Sequence, residues 1–230
     1  MLGPAEWDAV RLSLKVAGWA IAVGLPLAVA LAWVLARKRF PGRLLLEGLL
    51  YAPLVVPPVV VGYLLLVTFG RTGPVGGLLY EWFGITLAFS WRGAAVAAGI
   101  MAFPLMLRAV RLALEAQDLR LEAAARTLGA GPARVFATVT LPLALPGVVA
   151  AAVLGFARAL GEFGATITFV SNISGLTQTL PLAVYAAAQM PGGEASAARL
   201  AVLSLIIAVA AVVASEVLAR RWRPGGRTQA

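Results

Sequence analysis

Long apolar runs constrain the fold of this chain more than any other feature. The first run, residues 12–35, is apolar apart from Ser13 and Lys15, and as an α-helix it would be about 36 Å long at about 1.5 Å per residue. Lipid offers the backbone no hydrogen-bonding partner, so a run of this length folds as a membrane-spanning helix. Four further runs cover residues 44–69, 91–112, 143–161 and 200–218. The sequence therefore predicts an all-α polytopic membrane protein with five to six spans.

Composition and charge agree with a membrane protein. Only 13% of the residues are charged and the mean hydropathy is +0.90, whereas soluble proteins carry about 25% charged residues. The net charge is +9, but the basic residues stand at the ends of apolar runs. That placement excludes nucleic acid as the partner and indicates the lipid bilayer. Thirteen of the 19 basic residues lie in 37–43, in 108–134 and in the tail from 220. The positive-inside rule predicts that these segments are cytoplasmic, with the N-terminus outside and the C-terminus in the cytoplasm.

Three stretches depart from simple spans. Pro53, Pro57 and Pro58 fall inside the second run, so we expect that span to be kinked or unwound, to face the bundle interior and to bend as an outer gate. Residues 70–90 are Gly-rich and then aromatic, which predicts an interfacial loop with a short helix. Residues 162–198 are only moderately apolar. They form either a re-entrant or surface excursion or a pair of short helices, and cross the membrane zero or two times.

The central stretch, residues 121–146, is polar and basic and lies between two apolar runs. It predicts a short Ala-rich helix over 122–128 that ends at Gly129, and a second short helix that begins at Pro132 and stops at Leu141-Pro142. An ordinary basic cytoplasmic loop is the simpler interpretation. Two helices joined by a Gly-rich turn instead make a rigid projection. We expect this projection to bind a cytosolic partner.

The same stretch resembles the signature loop of ABC importer membrane subunits, written E-A-A, three residues, G, nine residues, I, one residue, L-P. Gly129, Leu141 and Pro142 keep that spacing, with Val139 in place of the isoleucine. Glu122 stands seven residues before Gly129, one position earlier than in the pattern. Three further stretches resemble the membrane subunits of bacterial molybdate ABC importers, namely FPGRLLLEGLLYAPLVVPPVVVGYLLL, FSWRGAAVAAGIMAFPLMLRAVRLALE and ARALGEFGATITFVSNISGLTQTLPLAVY. The resemblance covers nearly the whole chain.

This resemblance implies the transmembrane domain of a type I ABC importer, a single permease domain over residues 1–230 with a coupling segment at about 116–140. It implies a place in the bacterial cytoplasmic (inner) membrane. The implied partners are a second copy of the chain, two cytosolic ATPase subunits, and a periplasmic or lipoprotein binding protein that delivers molybdate or tungstate. The residues implied to couple to the ATPase are Glu122, Ala123, Ala124, Ala125, Gly129, Ala130, Arg134, Leu141 and Pro142.

The chain itself is not expected to be an enzyme. It lacks the phosphate-binding pattern of Gly, four residues, Gly-Lys-Ser/Thr, so ATP and Mg²⁺ are expected on the partner ATPase. It also has no Cys and no His, which excludes zinc, haem and iron-sulfur ligation in their usual forms. We therefore expect no catalytic residue, cofactor or metal on this chain.

Arg158 and Glu162 are an ionisable pair associated with the fourth apolar run. Four residues apart, they share one face of the fourth span. They form a structural ion pair, a polar lining of the pathway, or both, because ionisable groups inside a span are functional candidates. Thr166, Thr168, Ser171 and Asn172 offer either weak hydrogen bonds to a passing oxyanion or polar caps on a periplasmic turn. The residues expected at the translocation pathway or gate are Pro57, Pro58, Arg158, Glu162, Gly164, Thr166 and Thr168.

Two alternatives to a molybdate importer remain at the level of sequence. A sulfate or thiosulfate ABC permease would carry a tetrahedral dianion of similar charge and size, and the ARALGEFG run is shared with sulfate permeases. A secondary anion transporter or channel would need no ATPase. We expect transport by this chain to require the ATPase and ATP.

Overall fold

The computed structural model describes the backbone of residues 3–222 and the side chains of residues 3–214. Within the described residues the chain is helical and contains no strand. The helices are α1 (Pro4–Arg37), α2 (Arg43–Tyr51), α3 (Pro58–Phe69), α4 (Pro74–Phe83), α5 (Trp91–Glu115), α6 (Leu119–Thr127), α7 (Pro132–Val135), α8 (Leu141–Leu160), α9 (Gly164–Val170), α10 (Leu180–Ala188) and α11 (Glu194–Trp222). A 3₁₀ turn (Ala52–Leu54) follows α2, and a π-helical turn (Phe136–Thr140) joins α7 to α8.

The described residues provide up to five crossings of a membrane. Four helical segments are long and apolar enough to span: α1, α5, α11, and α7 to α8 taken as one helix over Pro132–Leu160. The fifth is α2 with its 3₁₀ turn and α3, which together pass the same test but are bent by 111°. This agrees with the five to six spans predicted. The basic tail that was counted as cytoplasmic continues past residue 222, and from Arg223 onward it lies outside the described residues.

The bend in the second span is caused by its prolines. Pro57 has ψ 134°, the non-helical value that a following proline favours, and Pro58 begins α3, where its missing N–H costs no helical hydrogen bond. The predicted kink is confirmed. Within the single chain Val61 of this segment is buried, whereas Val55, Val59 and Tyr63 are exposed.

The core is formed by α1, α5 and α8, which pack against one another along their length. Its buried positions are rich in alanine, including Ala28 of α1, Ala98 and Ala102 of α5, and Ala151 of α8. Small residues let helix backbones approach closely, which is how helices associate where lipid removes the hydrophobic driving force. The three helices therefore form one tightly packed unit.

Residues 164–188, whose topology the sequence leaves open, fold as a pair of short helices. Helix α9 has 7 residues and α10 has 9, so they are roughly 10 and 14 Å long and cannot cross a core of about 30 Å. Helix α9 packs against α3 and α5, and α10 packs against α1 and α11. Two short helices, and no further crossing, connect α8 to α11.

The second helix of the central loop was predicted to stop at Leu141-Pro142. In the structure it continues through the π turn into α8. The N–H of Leu141 bonds to the carbonyl of Phe136, the five-residue spacing of a π-helix. Pro142 has no N–H to donate and would clash with a carbonyl one turn earlier in a regular α-helix. The wider π turn just before it lets the helix pass the proline.

Candidate functional site

The central loop is built around a short helix and a glycine turn. Helix α6 begins after Asp118, whose carboxylate accepts a hydrogen bond from the N–H of Arg120 at 2.9 Å. It ends at Thr127, and Gly129 two residues later has φ +85°, while the N–H of Ala130 bonds to the carbonyl of Ala125 at 3.1 Å. No atom lies within 4 Å of the place where a Cβ on Gly129 would stand. The backbone conformation, rather than crowding, is what requires glycine here.

One side of this loop is exposed and carries most of the predicted coupling residues. Leu128 is 89% exposed and projects from the end of α6. Ala123, Ala124, Gly129 and Arg134 are also exposed, and Ala125 and Ala130 are half-buried. Leu119 and Leu121 of the same loop are also exposed, at 56% and 49%, so apolar side chains recur on this loop. We call the exposed side of residues 119–134 the coupling surface.

Glu122 faces the other way, into the chain. Its carboxylate Oε1 accepts hydrogen bonds from Arg37 Nη2 at 2.8 Å and Nε at 3.0 Å, and from the hydroxyl of Thr140 at 3.0 Å. The side chains of Arg37 and Glu122 are only 12% and 7% exposed. Arg126 also reaches Glu122 Oε2, at 3.2 Å, from the solvent side. The carboxylate of Glu122, one of the residues expected to couple to the ATPase, is therefore occupied by partners within this chain.

Arg37 extends this contact to a second helix. Its Nη1 donates to the carbonyl of Leu114 at 3.0 Å and its Nη2 to Gln117 Oε1 at 3.2 Å, while Gln117 Nε2 donates to the carbonyl of Thr140 at 2.9 Å. We call Arg37, Gln117, Glu122 and Thr140 the inner polar cluster. It fastens α6 to the end of α1, the end of α5 and the turn before α8.

Sequence reasoning missed three members of the inner polar cluster. Arg37 was interpreted only as a topogenic charge at the end of an apolar run, and Gln117 and Thr140 carry no local pattern. The one signal available was the position of Glu122, one residue early. On a helix, one residue is a rotation of about 100°, which turns this side chain away from the exposed side and toward the membrane helices.

Leu141 and Pro142, predicted as the exit from the loop, lie inside the continuous helix that leads to α8. Pro142 is exposed and Leu141 is half-buried. The helix therefore runs from the coupling surface at Pro132 to Leu160, 29 residues in all, which is about 43 Å at about 1.5 Å per residue. One continuous helix therefore connects the coupling surface to the turn that holds Glu162.

A second polar site lies at the far end of α8. Arg158 Nη1 and Glu162 Oε2 form an ion pair at 2.5 Å, with the side chain of Glu162 2% and that of Arg158 28% exposed. Helix α8 ends at Leu160, so Glu162 stands in the turn beyond it, and its Oε1 accepts the N–H of Ala165 at 2.9 Å. Glu162 thus caps the first turn of α9. The ion pair is confirmed, but its acidic member lies outside the helix and holds two elements together.

The start of α3 meets α9 at very short range. A Cβ on Gly62 would lie 2.6 Å from the carbonyl oxygen of Ala165 and 2.8 Å from Thr168 Cβ. A Cβ on Gly164 would lie 2.8 Å from Pro58 Cβ. The structure therefore brings Pro58, Gly164 and Thr168 together beside the Glu162 cap. Gly62, which sequence reasoning did not select, is what permits the contact.

The remaining predicted pathway residues are placed differently. Pro57 is exposed just before α3. Thr166 is buried, and the Thr168 hydroxyl donates to the carbonyl of Gly164 at 2.9 Å within α9. Asn172 Nδ2 donates to the carbonyl of Leu182 at 3.3 Å, and the carbonyl of Ser171 accepts the Thr177 hydroxyl at 3.1 Å. Thr168 and Ser171 thus bond within their own helix or turn, whereas Asn172 connects the turn after α9 to α10.

Comparison with known proteins agrees with this architecture. Residues 24–224 match the family model described as "Binding-protein-dependent transport system inner membrane component". The molybdenum transport system permease protein ModB of Escherichia coli K12 is 60% identical over 220 residues, which are 96% of each chain. ModB of Haemophilus influenzae is 56% identical over 95% of each chain. A bacterial alginate ABC transporter, solved in complex with an alginate-bound periplasmic protein, superposes with a TM-score of 0.76 at 17% identity, over 97% of this chain and 81% of its own.

Proposed function

We infer that this chain, which belongs to the family of binding-protein-dependent transport system inner membrane components, is the permease of an ABC importer for molybdate. The 60% identity to a molybdenum transport permease over 96% of the chain supports this substrate. As a multi-pass inner-membrane subunit of an ABC importer, the chain works with a separate ATPase and a binding protein. Residues 1–230 form one permease domain, with the coupling segment at about 116–140. Tungstate, which has the same charge and shape as molybdate, is the second substrate expected.

The coupling role is supported by one observation: residues 119–134 project from the bundle and are fastened to the ends of α1 and α5 and to the turn before α8. The coupling surface, with Leu128 at its tip, seats in a cleft of the ATPase. The inner polar cluster holds the back of α6 through Arg37 and Glu122. Closure of two ATPase subunits then moves α6 and α8 as one body, because the π turn keeps α7 and α8 continuous. The role of Glu122 is to position the projection rather than to contact the ATPase.

The exposed apolar side of α2 and α3 supports a second copy of the chain as partner. Leu44, Leu49, Val55 and Tyr63 are exposed on one side of the bent span, and an apolar patch of this kind is covered by a protein neighbour or by lipid. Two copies that meet along this side enclose the translocation pathway between them. The outer gate then lies where Pro58 contacts Gly164, beside the Arg158–Glu162 pair.

The orientation follows from charge. The inner polar cluster and the basic segments 37–43 and 108–134 face the cytoplasm. Glu6, whose Oε1 accepts the hydroxyl of Ser196 at 2.6 Å and pairs with Arg199 at 3.2 Å, then marks the outer side. In this orientation the ATPase docks beneath α6 and the binding protein docks above α9 and α10.

Reconstitution tests the proposal. The chain, its ATPase and its binding protein are placed in proteoliposomes, and the uptake of molybdate is measured with and without ATP. We expect uptake only with all components and ATP, and we expect a hundredfold excess of sulfate to leave most of it intact. Uptake without the ATPase would indicate a secondary transporter, and equal uptake of sulfate would indicate a sulfate permease.

A further inference from the structure

An open apolar groove runs along the outside of α1 and α5. It has a volume of about 510 Å³ and is lined on α1 by Trp19, Val23 and Leu27 and on α5 by Trp91, Gly99 and Phe103, among others. Trp19, Val23 and Leu27 are each more than half exposed. Both helices are membrane spans, so this groove, which we call the α1–α5 groove, faces either lipid or another protein within the bilayer.

One end of the α1–α5 groove is basic and aromatic. Lys15 Nζ lies 3.7 Å from the centroid of the Trp91 ring, and Arg92 Cζ lies 5.8 Å from the same centroid. The rings of Trp19 and Trp91 are 6.3 Å apart. Among the side chains that the structure describes, neither Lys15 nor Arg92 pairs with a carboxylate. Two cations thus lie beside two indole rings, and no carboxylate in the described part of the chain forms an ion pair with either.

The groove has the length of a lipid chain. From Trp91 to Phe103, α5 rises 12 residues, which is roughly 18 Å, and one leaflet of the hydrocarbon core is about 15 Å thick. Tryptophan is enriched at the membrane–water interface, so the Trp19–Trp91 pair marks the headgroup level. The groove then extends from the headgroup level toward the middle of the membrane, as an acyl chain does.

We propose that the α1–α5 groove binds an anionic phospholipid, with its phosphate between Lys15 and Arg92 and one acyl chain along Val23, Gly99 and Phe103. Apolar lining and a cationic end match the two parts of this ligand. A second copy of the chain fits less well, because it would bury both cations unless it placed a carboxylate at this end of the groove. The lipid belongs to the leaflet on the side of the N-terminus.

The first test separates headgroup recognition from general lipid contact. The purified chain is incorporated in nanodiscs with varied phosphatidylglycerol and phosphatidylcholine, and the bound lipid is identified by native mass spectrometry. Each basic residue near an anionic lipid contributes about fivefold in affinity, so Lys15→Gln with Arg92→Gln should reduce the preference for phosphatidylglycerol about 30-fold. Arg71→Gln is the matched control, because Arg71 also stacks on an aromatic ring, at 4.2 Å from Tyr80, but lies outside the groove.

The second test fills the groove without touching the charges. A Cβ on Gly99 would lie 3.7 Å from Ala20, an ordinary contact, so the backbone accepts a side chain here and Gly99→Leu adds bulk to the wall of the groove; the thermal unfolding temperature of the variant checks that it folds. We expect this variant to lose bound phosphatidylglycerol while Arg71→Gln keeps it. Retention of the lipid in both the charge variant and Gly99→Leu, or its equal loss in Arg71→Gln, would overturn the proposal.

A third measurement asks whether a second copy occupies the groove instead. The chain contains no cysteine, so Val23→Cys introduces a single thiol on the groove wall. If lipid fills the groove, this thiol reacts with a lipid-soluble maleimide and does not crosslink to another copy. Efficient crosslinking between two copies through Cys at position 23 would contradict a lipid site.

Discussion

Removal of the charge on Glu122 should release the central loop from the membrane helices. The substitution Glu122→Gln keeps the size and one acceptor oxygen of the side chain, but leaves the guanidinium of Arg37 without its anion. The pair is 2.8 Å apart and nearly buried, and breaking such a pair from one side costs about 3 to 5 kcal/mol. We take the lower value, about 3 kcal/mol, because Arg37 keeps its bonds to the Leu114 carbonyl and to Gln117.

This cost has a measurable consequence in the loop. A loss of about 3 kcal/mol changes the ratio of docked to released α6 roughly 100-fold. Hydrogen exchange of residues 119–127, followed by mass spectrometry in detergent or nanodiscs, should therefore be faster by about two orders of magnitude. In proteoliposomes the same variant should hydrolyse ATP with much less molybdate uptake per ATP.

Two further variants distinguish this explanation from general damage. Arg126 also contacts Glu122, but its side chain is 59% exposed, so Arg126→Gln should cost no more than about 1 kcal/mol and change exchange less than about fivefold. Replacing both members of the pair, Arg37→Met with Glu122→Leu, should recover much of the protection, because a buried apolar pair avoids the lone charge. If Glu122→Gln exchanges like the parent chain, or no faster than Arg126→Gln, the inner polar cluster does not hold the loop.

Three other substitutions test separate parts of the account. Gly129→Val should lower uptake per ATP at least tenfold without loss of protein from the membrane, because φ +85° is strained for a β-branched residue; uptake assays with parallel ATPase assays measure this. Arg158→Leu should lower the thermal unfolding temperature more than Arg158→Leu with Glu162→Leu, because a lone carboxylate is left buried in the single variant; equal shifts would indicate separate roles. Gly62→Leu should force α3 from α9 and abolish uptake, since its Cβ alone would lie 2.6 Å from a carbonyl oxygen; normal uptake would remove the α3–α9 contact from the gate.

The apolar runs and turn residues predicted most of the fold, while contacts between distant residues could not be predicted. Run length gives the spans directly, and Gly129 marks a left-handed turn that the structure confirms. The continuity of α7 with α8 was missed because Pro142 signals a helix end, and a π turn that passes a proline has no simple sequence pattern. The structure of residues 162–198 was left open because neither α9 nor α10 is long enough to show a clear helical periodicity of apolar residues.

In the candidate site, too, contacts between residues close in sequence could be predicted and contacts between distant residues could not. Arg158 and Glu162 are four residues apart, so their pairing could be predicted from local spacing. Arg37 and Glu122 are separated by 85 residues in the chain, and their pairing depends on how α1 packs against α5. No local sequence pattern indicates how α1 packs against α5. For this reason Glu122 was expected among the residues that couple to the ATPase, whereas its side chain is buried against Arg37.

Crosslinking from the tip of the coupling surface tests the central claim most directly. Leu128→Cys places one thiol at the most exposed point of the loop in a chain without cysteine, and Leu205→Cys on α11, 64% exposed, is the control. Each variant is assembled with the ATPase and treated with a short reagent that joins a thiol to a lysine. We expect a covalent product with the ATPase from position 128 and none from position 205. No product from position 128 in an assembled and active transporter would contradict the assignment of this loop as the coupling element.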